Sequence, residues 1–141
     1  MAVRQVKFAE YQPEITAMML DMLHLEPQPV EIPIQYYINI DEAGVLKPML
    51  WFDGDVIKGV ALIFVSTSMR NEALLDAQTD VLWVKPEYRG NSSEFIDGIR
   101  SHLKEIGVNF WYASSRDTSP IDSFLIKNKF KPLERLFYCE V

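Results

Sequence analysis

The pattern of apolar and polar residues predicts a helix near the start of the chain. Five apolar residues recur at the spacing of one helical face: Ile15, Met18, Met19, Met22 and Leu23. Pro27 and Pro29 follow, and proline ends a helical pattern. Residues 30–45 contain the stretch "IQYYINI", which fits either a strand or a second short helix.

Three strands are predicted in the middle of the chain. Two apolar runs flank Asp53-Gly54-Asp55 in "PMLWFDGDVIKGVALIFVSTS", and Asp-Gly between such runs is a strong hairpin signal. A third apolar run follows the polar stretch "SMRNE" and covers roughly residues 74–84. We therefore expect a hairpin that turns at Asp53-Gly54 and a third strand that ends near Val84.

Helices and strands alternate after Val84. The turn "KPEYRGNSSE" leads into a helix with an apolar stripe, which should begin within two residues of Asn91 and end at Gly107. The stretch "VNFWYAS" predicts a short strand, and Ser119 and Pro120 predict the cap and first residue of another helix. A closing strand, "KPLERLFYCEV", should bury Cys139. This order predicts an α+β fold with helices on a mostly antiparallel sheet.

Composition narrows the class of protein. The 141 residues predict one domain, residues 1–141, and 48% of them are hydrophobic, which is enough for one core. No apolar run approaches the ~18 residues of a membrane span, so no membrane partner is expected. A single cysteine indicates a reducing, cytoplasmic location. The net charge is −6 without any basic run, which argues against nucleic acid and suits a cationic small molecule.

A short motif links the turn to a known family. The third strand ends in "VKPEYRG", which supplies Val84, Pro86, Arg89 and Gly90 of a V-x-P-x-x-R-G phrase. With the following helix, strand and helix, and the closing "NKFKP", the chain resembles the GCN5-related N-acetyltransferase (GNAT) superfamily. The resemblance is best over residues 56–141 and extends to short acetyltransferase-like proteins of phages and prophages. It implies a central, mostly antiparallel sheet with helices on both faces.

The resemblance implies that acetyl-coenzyme A is a cosubstrate. Its pantetheine arm would add to the edge of the third strand at residues 82–84: Leu82, Trp83 and Val84. Its pyrophosphate would lie at the start of the next helix, where N–H groups and the helix dipole favour an anion. The residues at that turn are Arg89, Gly90, Asn91, Ser92, Ser93 and Glu94.

Two of these residues depart from the family pattern Arg/Gln-x-x-Gly-x-Gly/Ala. Ser92 replaces a glycine, and Glu94 places a carboxylate where the family keeps a small residue. Asn91 and Glu94 also have the spacing of a capping box, in which Asn91 caps the helix and Glu94 bonds back to the Asn91 N–H. A carboxylate there would weaken phosphate binding by repulsion.

The family often places a carboxylate on this strand to accept the proton of the amine, and Asp80 falls at that position. Asp76, four residues earlier, is the second choice, and a solvated strand-edge aspartate is the other interpretation of either residue. The tyrosine that often acts as the acid is replaced by Leu125. No His, Cys and Asp cluster has metal-ligand spacing, so no metal is expected.

Two functions remain open from the sequence. The first is an N-acetyltransferase that moves an acetyl group from acetyl-coenzyme A to a primary amine of a small molecule or protein, by direct attack in a ternary complex. The second is a catalytically degenerate protein of the same fold with a structural or inhibitory role, which Glu94, Leu125 and Lys129 favour. Either function is compatible with a homodimer.

Overall fold

The structure is a computed structural model that describes residues 2–24 and 26–141. Its five strands are β1 (Ala2–Gln5), β2 (Leu46–Asp53), β3 (Val56–Thr67), β4 (Leu75–Val84) and β5 (Phe110–Tyr112). Its four α-helices are α1 (Gln12–Leu23), α2 (Ile34–Glu42), α3 (Ser92–Glu105) and α4 (Asp122–Lys127). Two 3-10 helices, Phe8–Tyr11 and Pro86–Asn91, lead directly into α1 and α3.

The strands form one sheet in the order β1-β2-β3-β4-β5. Neighbours from β1 to β4 are antiparallel, and only β5 is parallel, to β4. The predicted hairpin is confirmed, since β2 ends at Asp53 and Gly54 adopts a left-handed φ of 59° in the turn. The strand that ends at Val84 and the helix that begins beside Asn91 are confirmed as well.

Helices cover both faces of the sheet, as predicted. One face packs against α1 and α2 through a cluster that includes Ile15, Met19 and Val60. The other face packs against α3 through a second cluster, in which the Trp51 and Phe95 rings stack with centroids 5.6 Å apart. The chain therefore buries apolar side chains on two sides of a single sheet, which is the α+β layering that the element order predicts.

The N-terminal third contains one element that the sequence pattern left open between two alternatives and one that it does not predict. Residues 30–45, which fitted a strand or a helix, contain the helix α2. The short strand β1 adds to the edge of β2, where a Cβ on Gly98 of α3 would approach Val3 Cγ2 within 2.3 Å. Glycine at position 98 thus lets α3 lie close against β1.

The C-terminal end differs from the prediction in two respects. Ser119 does not cap α4, because the helix begins at Asp122 and Ser115 Oγ instead accepts the N–H of Ile121. The predicted closing strand is wrong, since residues 131–141 belong to no strand and are exposed, including Cys139. A strand forms only where its backbone groups have a neighbouring strand.

Candidate active site

Asp80 lies at a β-bulge in β4. Thr79 pairs with Ile63 of β3 and Val81 pairs with Leu62, so Asp80 is the extra residue between two consecutive pairs. Ala77 packs with the α3 cluster, whereas Val81 packs with the cluster beneath α1 and α2. An uninterrupted strand would direct both side chains to one face, so the bulge reverses the alternation and places Asp80 on the α2 side.

Tyr37 of α2 holds the Asp80 carboxylate. The phenol O–H donates to Asp80 Oδ2 over 2.6 Å, and the Tyr37 ring stacks on Phe8 at 5.2 Å. Burial first, and then the hydrogen bond to Asp80, raise the pKa of Tyr37 well above its usual range. The phenol therefore keeps its proton at neutral pH and acts as a donor to the carboxylate.

A second carboxylate positions α2 itself. Asp41 is buried at 6% exposure, and its Oδ2 accepts the backbone N–H of Phe8 over 2.7 Å. Tyr37 and Asp41 are four residues apart and lie on the same helical face, so both reach the 3-10 helix below. The spacing of these two polar residues in "YINID" is the signal that could have revealed Tyr37 from the sequence.

The strands β4 and β5 separate just beyond Thr79. They pair only from Asp76 with Phe110 to Gln78 with Tyr112. The Thr79 hydroxyl closes the pairing, because it accepts the Trp111 Nε1–H over 2.7 Å and donates to the Tyr112 carbonyl over 2.8 Å. Past this point, β4 has no strand partner on its β5 side within the described part of the chain.

The open side of β4 exposes the backbone of Leu82 and Val84. The Lys85 N–H donates to Lys58 of β3, and alternate residues of a strand direct their backbone groups to the same side. Residues 83 and 81 therefore bond towards β3, while Leu82 and Val84 face the open side. These two are the residues that the resemblance assigned to pantetheine, together with Trp83 between them.

Arg89 folds back over the end of β4. Its Nε donates to the Val84 carbonyl over 3.0 Å, and its guanidinium lies 4.5 Å from the centre of the Trp83 ring. The Trp83 Nε1 is buried without a hydrogen-bond partner among the described residues. Arg89 thus shapes the turn after β4, and its hydrogen bond takes up the Val84 carbonyl on the open side of the strand.

The turn itself does not contain the predicted capping box. Asn91 makes no side-chain cap, because the 3-10 helix runs straight into α3 and the first amide of α3 already has a partner. The Ser92 N–H and Ser92 Oγ both donate to the Arg89 carbonyl. Glu94 is exposed, and a Cβ on Gly90 would meet open space.

A cavity of about 210 Å³ adjoins Asp80. It lies between the end of α1, the segment that leads to α2, Tyr37 and Arg116. Glu26 in its wall is paired with Arg116 over 2.9 Å and is only 14% exposed. The lining carries three carboxylates, those of Glu26, Glu31 and Asp80, against the single guanidinium of Arg116.

The other residues singled out from the sequence lie away from this cavity. Asp76 pairs with Ser66 and Phe110, and its Oδ1 is buried without a hydrogen-bond partner among the described residues. Leu125 is a core residue at 8% exposure. No group of three or more His, Cys, Asp or Glu residues converges as metal ligands in residues 2–24 and 26–141. No described helix has the length and apolar character that crossing a membrane requires.

Comparison with known proteins identifies the fold. No protein-family model matches the chain, and no curated protein matches its sequence. Solved structures do match. An aminoglycoside acetyltransferase from an uncultured soil metagenomic sample, solved with sisomicin, superposes with a TM-score of 0.77 at 10% identity over 99% of this chain and 93% of that one.

Two further structures agree with this match. Glucosamine-6-phosphate N-acetyltransferase from Arabidopsis thaliana gives a TM-score of 0.73 at 10% identity, over 98% of this chain and 96% of that one. A predicted acetyltransferase from Clostridium acetobutylicum, solved with acetyl-CoA, gives 0.73 at 13% identity, over 98% and 94%. The chain therefore has the fold of the GCN5-related N-acetyltransferase superfamily, as the resemblance implied.

Proposed function

We propose that the protein is an N-acetyltransferase that transfers an acetyl group from acetyl-coenzyme A to a primary amine of a small molecule or protein. One observation carries the proposal. The bulge at Asp80 directs a carboxylate towards a cavity at the point where β4 loses its partner on the β5 side. A proton acceptor, a cavity of about 210 Å³ and a free strand edge thus occur together.

Acetyl-coenzyme A fits the strand edge well and the following turn in part. Leu82 and the N–H of Val84 would bind the pantetheine arm as an added strand. Arg89, Gly90, Asn91, Ser92 and Ser93 would surround the phosphates. Gly90 leaves space for a close approach, while the Ser92 amide is already bonded to Arg89. The bound cosubstrate supplies a thioester whose acyl group forms a bond to the amine nitrogen as the bond to sulfur breaks.

Asp80 would accept the proton that the amine loses, directly or through water. Its carboxylate is on an exposed residue, so water can reach it, and the Tyr37 hydroxyl fixes its orientation over 2.6 Å. Tyr37 is therefore a positioning residue in this proposal. Asp76 is the weaker of the two proposed bases, because the cavity lining contains Asp80 and not Asp76.

The charge of the cavity favours a cationic amine as the acceptor. Three carboxylates against one guanidinium attract an ammonium group before it is deprotonated. Two of the matching structures are acetyltransferases of amino sugars: an aminoglycoside acetyltransferase solved with sisomicin and a glucosamine-6-phosphate N-acetyltransferase. We therefore place aminosugars first in a panel of acceptors, followed by short polyamines as other cationic amines that suit the acidic cavity, with a lysine-containing peptide as the protein-like acceptor.

The test is release of coenzyme A from acetyl-coenzyme A in the presence of that panel. With an accepted amine, Asp80→Asn should lower kcat by about 10²-fold or more, since a general base contributes about that much. The matched control is Glu72→Gln, an exposed carboxylate in the turn between β3 and β4 at the other end of the sheet. Asp76→Asn should change kcat far less than Asp80→Asn.

Two outcomes would contradict the proposal. An Asp80→Asn enzyme with the wild-type kcat and pH profile would remove Asp80 from the chemistry. No turnover of any amine by a chain that binds coenzyme A would instead favour the second function, a degenerate protein with an interaction role. Nothing in the comparisons favours that second function.

A further inference from the structure

A second β-bulge lies in β3, near the turn that follows β4. Trp51 of β2 pairs with Gly59 of β3, and the next pair is Phe52 with Ile57. Lys58 is therefore the extra residue between these two pairs. Bulges redirect side chains out of the regular alternation of a strand, and they are frequent next to active sites. The direction of a charged side chain is thus set by a local irregularity of the sheet.

The Lys58 side chain lies in the interior, on the face of the sheet that α3 covers. Lys58 is only 5% exposed. Its Nζ lies 4.0 Å from the centre of the Trp51 ring and 5.2 Å from the centre of the Tyr88 ring. Trp51 belongs to the apolar cluster beneath α3, and Tyr88 packs against that cluster. Lysine is among the residues that are least often buried, so its place beside an apolar cluster calls for an explanation.

Lys58 contacts the turn after β4 through its backbone as well as its side chain. Its carbonyl accepts the Lys85 N–H over 2.9 Å, and Lys85 immediately precedes the 3-10 helix that leads into α3. Tyr88, whose ring lies near the ammonium, is part of that 3-10 helix. The neighbouring Gly59 lies against the first turn of α3, since a Cβ there would come within 3.1 Å of the Phe95 ring. The ammonium is therefore held beside the segment that joins β4 to α3.

The turn itself carries no net charge. Between residues 85 and 94, the basic side chains are Lys85 and Arg89. The acidic ones are Glu87 and Glu94, so the charges cancel. The side chains of the turn therefore offer a phosphate-bearing ligand no net attraction, and a positive charge from elsewhere in the chain would decide the sign of the local field.

We propose that Lys58 supplies, from inside the protein, the positive charge that attracts the phosphates of acetyl-coenzyme A to the turn after β4. This inference rests on the proposed function, because it adds a residue to the cosubstrate site of that function. A buried charge is screened by salt much less than an exposed one, so a single ammonium remains effective at physiological salt. A cation beside the amino end of α3 is opposed by the helix dipole, and a bound anion would remove that conflict.

Coenzyme A binding by two uncharged variants tests the proposal. Lys58→Met keeps an apolar side chain of similar length, and Lys58→Gln keeps an N–H donor. Each should weaken coenzyme A binding by about tenfold at physiological salt, because each removes one buried charge near the phosphates. Lys104→Met is the matched control, since it removes the same charge from an exposed position near the other end of α3, about 18 Å from Ser92 along the helix.

S-Acetylpantetheine separates the effect of charge from the shape of the site. It carries the thioester and the pantetheine arm of the cosubstrate but no phosphate. Its dissociation constant, measured by NMR titration, should be the same for the wild type and for both Lys58 variants. Urea denaturation of each variant verifies that the chain is folded before binding is measured.

Four other results would contradict the inference. Wild-type affinity for coenzyme A in both Lys58 variants would overturn it and leave the proposed function intact. A loss shared by S-acetylpantetheine would show that Lys58 maintains the shape of the strand edge. A loss in Lys58→Met alone would assign the effect to a hydrogen bond that glutamine retains. A wild-type chain that does not bind coenzyme A would overturn the proposed function, and this inference with it.

Discussion

Asp80 and Tyr37 are 43 positions apart in sequence and form one hydrogen-bonded pair. The pair joins β4 to α2, so it has both a structural and a proposed chemical role. Because Asp80 lies at a bulge, its backbone has already left the regular ladder with β3. The Tyr37 hydroxyl is the group that gives the freed carboxylate a fixed orientation.

Tyr37→Phe should lower the free energy of unfolding by about 1 kcal/mol, since a hydrogen bond to a charged but exposed partner is lost. The raised pKa of Tyr37 gives the effect a pH signature. Below about pH 10 the phenol is protonated in both the folded and unfolded states, so the difference is constant. Above that pH the unfolded tyrosine ionises first, and wild-type stability falls.

Urea denaturation at pH 7 and pH 10.5 measures both effects. Tyr36→Phe is the matched control, because Tyr36 is the next residue of α2 and is 57% exposed. The Tyr37→Phe chain should lose less stability at alkaline pH than the Tyr36→Phe chain. Equal alkaline losses would mean that burial and the Asp80 contact do not raise the pKa of Tyr37.

Glu94→Gln tests the charge at the start of α3. The absence of an Asn91 cap means that the substitution should leave helix stability almost unchanged. Loss of a negative charge near the proposed phosphate site should raise coenzyme A affinity at low salt, with the gain fading near physiological salt because Glu94 is exposed. Glu105→Gln, exposed at the other end of α3, is the control. Weaker binding by Glu94→Gln would place the carboxylate away from the phosphates.

The element that defines the cleft is the divergence of β4 and β5, and Thr79 marks where it begins. Two hydrogen bonds of one hydroxyl replace the backbone pairing that would otherwise continue past Tyr112. The bulge at Asp80 follows at the next position, so the open strand edge and the proposed base come from adjacent residues.

Thr79→Val should therefore cost about 1–2 kcal/mol of folding free energy, because the Trp111 indole N–H loses its partner. Chemical denaturation followed by tryptophan fluorescence measures the change, with Trp51 and Trp83 contributing to the signal beside Trp111. Thr67→Val is the control, since Thr67 is exposed at the end of β3. A variant as stable as the wild type would show that the hydroxyl does not hold the two strands at their point of separation.

At the scale of the whole molecule, the parts that the sequence predicts are those with local signals. Asp-Gly marks the β2–β3 hairpin, and the apolar stripe after "YRG" marks α3. The residues of the site that were missed depend on contacts across the chain. Tyr37 belongs to the site because it donates a hydrogen bond to Asp80, and β1 forms by pairing with the edge of β2.

The predicted closing strand is wrong because a strand also depends on contacts that the local sequence does not show. Residues 131–141 have the apolar composition of a strand, but composition alone does not show whether a neighbouring strand is available for pairing. The predicted capping box at Asn91 and Glu94 is also wrong, because the spacing of these two residues does not reveal the 3-10 helix that precedes α3.

The measurement that tests the central claim most directly is calorimetric titration of the protein with coenzyme A. We expect micromolar binding by the wild type and by Asp80→Asn, whose change lies in the proposed chemistry and not in the proposed cosubstrate site. Arg89→Ala should bind more weakly by ~1.5–3 kcal/mol, because Arg89 shapes the turn and adds a charge beside the phosphates. Arg70→Ala, an exposed arginine in the β3–β4 turn, should bind as the wild type does. No heat and no thermal shift at millimolar coenzyme A would contradict the acetyltransferase proposal.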